Sequence, residues 1–66
     1  MSPERFAVRL RMLRKRRNMT QETLAKKAGV SRAYLSRLEM GRHDPPLSRL
    51  RKLAKALGVP VTELLG

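Results

Sequence analysis

The sequence predicts an all-α fold, a compact bundle of five short helices. Apolar residues recur at spacings of three and four between successive Gly or Pro marks, no segment alternates with period two, and β-branched residues do not collect into runs. The 66 residues include no cysteine, so helix packing alone must hold a core of marginal size. A hydrophobic content of 41% suffices for that core. The 16 Lys and Arg, against five Asp and Glu, therefore belong to a folded surface and not to a disordered basic tail. The chain reads as one domain over residues 1–66.

The first helix spans roughly Pro3 to Arg17, with Phe6, Leu10 and Leu13 stacked on one face and Asn18 as a left-handed terminator. It holds seven of the 16 basic residues. Arg5, Arg9 and Arg16 form a stripe away from the apolar face, whereas Arg14 falls beside it and is expected to be partly buried against a partner.

The second helix opens at Thr20, whose hydroxyl can cap the amides of Gln21-Glu22-Thr23, with Glu22 well placed for the helix dipole and Met19 stapled to Leu24. Thr23 stands where a reciprocal capping box would need Glu or Gln. This helix buries Leu24, Ala25 and Ala28, the alanines being small enough for another helix to cross at a steep angle, and Gly29 turns the chain.

The third helix starts at Ser31 as N-cap and runs to about Met40. It is expected to bury Tyr34, Leu35 and Leu38 and to turn Arg32, Ala33, Ser36, Arg37 and Met40 outward. After the loop Arg42-His43-Asp44-Pro45-Pro46, a fourth helix carries Leu47, Leu50, Leu53, Ala54 and Leu57 at helical spacing up to Gly58. A last short helix, Val61 to Leu65 behind Pro60, docks Leu64 and Val59 into the same core.

A net charge of +11 and a pI near 11.8 point to a polyanionic partner. No enzyme is expected, because His43 and Asp44, adjacent in a Pro-rich loop, lack the positioned geometry of a catalytic triad. With no cysteine and one histidine there is no metal site to build, and no cofactor or small-molecule ligand is implied. No stretch approaches the ~20 apolar residues of a membrane span, and no apolar run follows Met1-Ser2-Pro3 to make a signal peptide. The expected location is the cytoplasm, at the nucleoid. The basic, amphipathic first helix suggests a membrane surface as a rival partner, but its apolar face is needed to cover helices two and four.

Helices two and three are joined by Gly29-Val30-Ser31, the short Gly-containing connection of a helix-turn-helix, here at about residues 20–40. The chain from Leu10 to Leu64 resembles the XRE family, the helix-turn-helix DNA-binding domains of phage repressors and Cro. The carriers are Leu10-Arg11-Met12-Leu13-Arg14, Gln21, Leu24-Ala25, Gly29-Val30-Ser31, Leu35-Ser36, Glu39 and Gly41, then Pro45, Leu50, Leu53-Ala54, Leu57 and Val59. Asn18 departs from the family, which usually has Gly there, and Pro60 stands where a Ser or Asp cap is commoner.

The resemblance implies a five-helix, lambda-repressor-like domain that puts helix three into the major groove. It implies sequence-specific binding of double-stranded DNA by a transcriptional regulator, acting as a repressor. The residues agree: the outward face of helix three has no acidic residue and offers Arg32 and Arg37, and arginine bidentate to guanine is the commonest specific base contact. Ala33 suits a thymine methyl, and Ser36 a base edge or a phosphate. The competing reading has both arginines touch phosphate only.

Gln21 and Thr20, at the start of helix two, are candidates for a phosphate grip, the role the family gives that Gln, and Arg42 and His43 are loop candidates for the backbone. Arg14 and Glu39 match positions that the family pairs to tie helix one to helix three, which implies a structural ion pair. An interaction module on the same fold, such as an adaptor or antitoxin, remains the alternative. A module this size covers only ~600 to 1,000 Å² on DNA, so a homodimer on an inverted-repeat operator is expected, touching through Val61 and Leu65 of the last helix.

Overall fold

Cap and turn chemistry decides where each helix begins and ends. The computed structural model describes residues 2–65, so residues 1 and 66 of the expected domain lie outside the described residues. The described residues form α1 (Pro3–Arg16), α2 (Gln21–Ala28), α3 (Arg32–Glu39), α4 (Leu47–Leu57) and α5 (Val61–Leu65), with no strand among them. Ser2, Thr20 and Ser31 are N-caps, their hydroxyls accepting from the amides of Arg5 (3.1 Å), Thr23 (3.1 Å) and Tyr34 (3.0 Å). The Thr23 hydroxyl lies 3.0 Å from that of Thr20, so the residue that cannot complete a capping box instead joins the cap through its side chain. α4 begins behind Pro46 without any side-chain cap.

Four helix ends close in one way. Asn18, Gly29, Gly41 and Gly58 have φ of 55°, 69°, 75° and 70°, and each donates its amide to the carbonyl three residues back. The next amide then reaches five residues back, as in Met19 to Arg14 (3.2 Å) and Val59 to Ala54 (3.0 Å), which is a Schellman closure. Asparagine is the non-glycine residue best able to take this conformation, so the departure at Asn18 leaves the turn intact. The closure makes Arg17 a cap, and α1 stops one residue earlier than its apolar pattern implied. At Gly41 a second constraint operates, because a Cβ there would meet Glu4 Cα at 3.4 Å; the loop after α3 lies against the start of α1.

α2 packs on both α3 and α4, α1 packs on α3 and α5, and α5 closes against α4. The contact between α2 and α4 is the most extensive, and Ala25 and Ala28 of α2 and Ala54 of α4 are all buried in the core. Leu10, Leu24, Leu35, Leu38 and Leu53 are completely buried and form the centre. Tyr34 packs against this core but only from its edge. It is half-buried, because its position on α3 lies well to one side of the Leu35 and Leu38 face, and the Arg49 guanidinium covers its ring at 4.6 Å from the centroid.

Gly58 separates backbone conformation from packing, since a Cβ there would meet nothing within 4 Å. Gly58→Ala is expected to lower the unfolding free energy in urea by about 1 to 2 kcal/mol through its left-handed φ alone, and Gly58→Asn by less; equal losses would place the cost elsewhere.

Candidate nucleic-acid interface

The third helix can present a basic face because its one acidic residue is turned inward. Glu39, in the last turn of α3, is 3% exposed, and Arg14 of α1, 12% exposed, meets it with two parallel bonds: Nε to Oε2 at 2.7 Å and Nη2 to Oε1 at 3.0 Å. The other terminal nitrogen of Arg14 donates to the Met19 carbonyl at 2.9 Å, pinning the loop between α1 and α2. Gln21 Nε2 donates to Glu39 Oε1 at 3.1 Å, and Arg11 Nη1 donates to the Glu39 carbonyl. One glutamate thus joins α1, α2 and α3.

The hydrogen bonds to Glu39 raise the Arg14 pKa above the ordinary guanidinium value; desolvation offsets part of the effect and Coulomb attraction adds to it. A raised folded-state pKa gives stability that is complete below the unfolded value and is lost only as pH rises through the folded one. Both lie far above neutrality, so Arg14 contributes no pH dependence in the working range.

Gln21, a candidate phosphate contact, also bonds to Glu39, a second task that sequence spacing does not reveal, since 18 residues separate the two. One amide hydrogen is used inward, while the other and the amide oxygen remain. Arg11 was likewise missed as a cap on the carbonyl end of α3, although its place beside the Leu10 and Leu13 face offered a hint.

Arg32 and Arg37 do not share one line. Five residues apart on α3, they are about 140° apart around the axis, Arg37 on the exposed crest and Arg32 to one side of it. Arg32 lies in a recess with Arg14, Thr20, Gln21 and Glu22 at the start of α2, whereas exposed Ala33, Arg37 and Met40 stand on the side opposite the buried leucines, with half-buried Ser36 beside them. The structure therefore brings Thr20, Gln21 and Arg32 together. Arg42 and His43 are exposed in the loop just past α3.

Val61 is half-buried and Leu65 is 46% exposed. Leu65 borders a concavity of about 500 Å³ whose other apolar walls include Val8 and Met12 of α1. Val8, 54% exposed, falls off the Phe6, Leu10 and Leu13 stripe and was not picked out from the sequence; its signal was an exposed β-branched residue four before Met12. Among the described residues, no group of His, Asp or Glu is placed to hold a metal, and no helix is long and apolar enough to cross a membrane.

Glu39→Ala would leave the Arg14 charge poorly paired, and is expected to lower stability by roughly 3 kcal/mol or more and the melting temperature by roughly 12 °C or more. In Arg14→Met/Glu39→Ala the loss should fall short of the sum of the single variants; additive losses in a thermal double-mutant cycle would show that the pair is not coupled.

Residues 10–64 match the helix-turn-helix family model HTH_3. The chain is 45% identical over 58 residues to the immunity repressor protein of Bacillus phage phi105, covering 88% of this chain and 40% of the repressor. It is 43% identical over 56 residues to the uncharacterized HTH-type transcriptional regulator MJ0272 of Methanocaldococcus jannaschii, covering 85% of both. The solved structure of the restriction-modification controller protein C.AhdI from Aeromonas hydrophila superposes with a TM-score of 0.91 at 39% identity, over 94% of each chain. The Neisseria hypothetical transcription factor NHTF gives 0.93 at 35% identity, over all of this chain and 76% of the other. The turn residues, the packing of α2 on α3, the inward-facing Glu39 and these likenesses agree: the chain belongs to the helix-turn-helix family, of the XRE type found in phage repressors and Cro.

Proposed function

We propose that this chain binds double-stranded DNA sequence-specifically with α3 in the major groove and regulates transcription there, as a repressor. The observation that carries the reading is the crest of α3: Ala33, Arg37 and Met40 are exposed on it, and the helix's one carboxylate is buried on the other side against Arg14. Such a face can approach phosphates without repulsion and offer a bidentate donor to a base edge. Its relatives' names point the same way, since they include an immunity repressor and transcriptional regulators.

Arg37 reads guanine, Ala33 packs on a neighbouring thymine methyl and Ser36 contacts a base edge or the backbone. Thr20 and Gln21 hold the phosphate beside the start of α2, where free amide groups add a favourable field. Arg32, in the same recess, reaches the base next to that phosphate, and Arg42 and His43 engage the backbone beyond α3. A protein partner for α3 has less support, because its crest joins a guanidinium to small side chains and lacks a large apolar anchor other than Met40.

Two copies act on an inverted repeat. Val61 and Leu65, the latter bordering the concavity with Val8 and Met12, supply the apolar surface for the self-contact, and the half-sites then lie about 34 to 36 Å apart.

Selection of bound duplexes from a random pool tests specificity, symmetry and spacing together, and recovery of no common sequence would overturn base reading. On the selected duplex, Arg37→Ala is expected to lose about 1 to 3 kcal/mol at one base pair and to relax the preference there, whereas Gln21→Ala weakens all duplexes alike. Uniform weakening in both would make Arg37 a phosphate contact. Sedimentation with a duplex bearing both half-sites should show two chains bound, and one chain at saturation would refute dimeric reading.

A further inference from the structure

We propose that the cleft between the C-terminal ends of α2 and α4 is a second, sequence-independent site for phosphate backbone, through which the DNA-bound protein engages another stretch of duplex. Lys26 and Lys27 of α2 and Lys52 and Lys55 of α4 line a concavity of about 530 Å³ together with Ala28, Gly29 and Ala56. A quarter of the chain's 16 basic residues thus converge on one surface. No carboxylate lines it, and among the described residues none of the four lysines has an ion-pair partner.

Helix dipoles account for part of this arrangement. Lys26, Lys27 and Lys55 lie in last turns, where cations are favoured. Lys52 lies one turn earlier, and convergence from two separate helices adds mutual repulsion that the dipoles do not require. A bound polyanion removes that repulsion.

Location separates the cleft from the reading surface. No residue of α3 lines it, and α2 stands between the two, packed on α3 at one side and on α4 at the other, while α3 and α4 make little direct contact. The α3 crest points away from the core into which Leu35 and Leu38 pack, so one duplex on the crest leaves the lysine cleft free. Lysine chemistry favours phosphate over base edges here: four flexible point charges give affinity without bidentate geometry. The shallow walls are small residues, with no aromatic ring for stacking single strands.

The inference rests on α3 reading the first duplex, and the test keeps the two apart. A biotinylated duplex recovered by the selection is saturated with the protein on beads, and a fluorescent 20-base-pair duplex of unrelated sequence is added. The intact chain should retain the second duplex, with retention falling as salt rises by about 0.9 in logarithmic slope for each phosphate neutralised. The variant with Lys26, Lys27, Lys52 and Lys55 all changed to Gln should lose that retention at least tenfold while its affinity for the selected duplex changes less than threefold. A control with equal loss of charge on α1, Arg9, Lys15, Arg16 and Arg17 changed to Gln, should keep it. Should the fourfold lysine variant fail to fold by circular dichroism, K52Q/K55Q serves in its place, with a threefold loss expected.

No retention by the intact chain, equal retention by the lysine variant, or equal loss in the α1 control would overturn the proposal; the second result would mean that a second reading head holds the added duplex. Competition by a polyglutamate peptide but not by the unrelated duplex would also overturn it, in favour of an acidic protein. Failure to bind the selected duplex at all would instead refute the reading of α3.

Discussion

Everything in the reading surface depends on what is done with one carboxylate. Glu39 sits on the helix that must approach a polyanion, and it is removed from that approach by burial. Burying a charge is costly unless it is paired and its lone pairs are satisfied. Arg14 supplies the charge and two bonds, and Gln21 a third. The same groups come from three helices, so neutralising Glu39 also sets α3 relative to α1 and α2. Electrostatic removal of an acid and mechanical orientation of the helix are one event.

The charge that makes DNA a partner also works against the fold. A net +11 on a body measuring 24 × 23 × 21 Å is self-repelling, and a chain of this size buries a modest fraction of its surface. Polyanion binding relieves that repulsion, and a ligand that binds only the folded state stabilises it in turn. Folding and DNA binding are therefore linked through the surface as well as through α3. The arginines that touch the core edge, Arg14 and Arg11, spend their donors inside, while the exposed crest and the lysine cleft keep theirs for outside contacts.

The two sides of α1 differ. Phe6, Leu10 and Leu13 enter the interior, whereas Val8 and Met12 line an open concavity with Leu65. The chain spans 40% of the length of the phage repressor that it resembles and 85% of the archaeal regulator. The apolar concavity thus occurs in a unit that has relatives of quite different overall length.

The five helices, the caps of α2 and α3 and most of the inner face were legible in the amino-acid order because each rests on local chemistry. Ser31 and Thr20 cap the amides next to them, Gly29 and Gly58 adopt a conformation denied to most side chains, and leucines three and four apart share a side. The Arg14 and Glu39 match was legible through the family pattern alone. What lies between distant segments was not. The bond from Gln21 to Glu39, the stacking of Arg49 on Tyr34, the meeting of Arg32 with the start of α2 and the convergence of four lysines each join residues on different helices. Spacing along one helix fixes direction around its own axis but not which neighbour lies there. Only the packed arrangement, in which α2 lies on α4 and the buried carboxylate holds α3, decides those contacts.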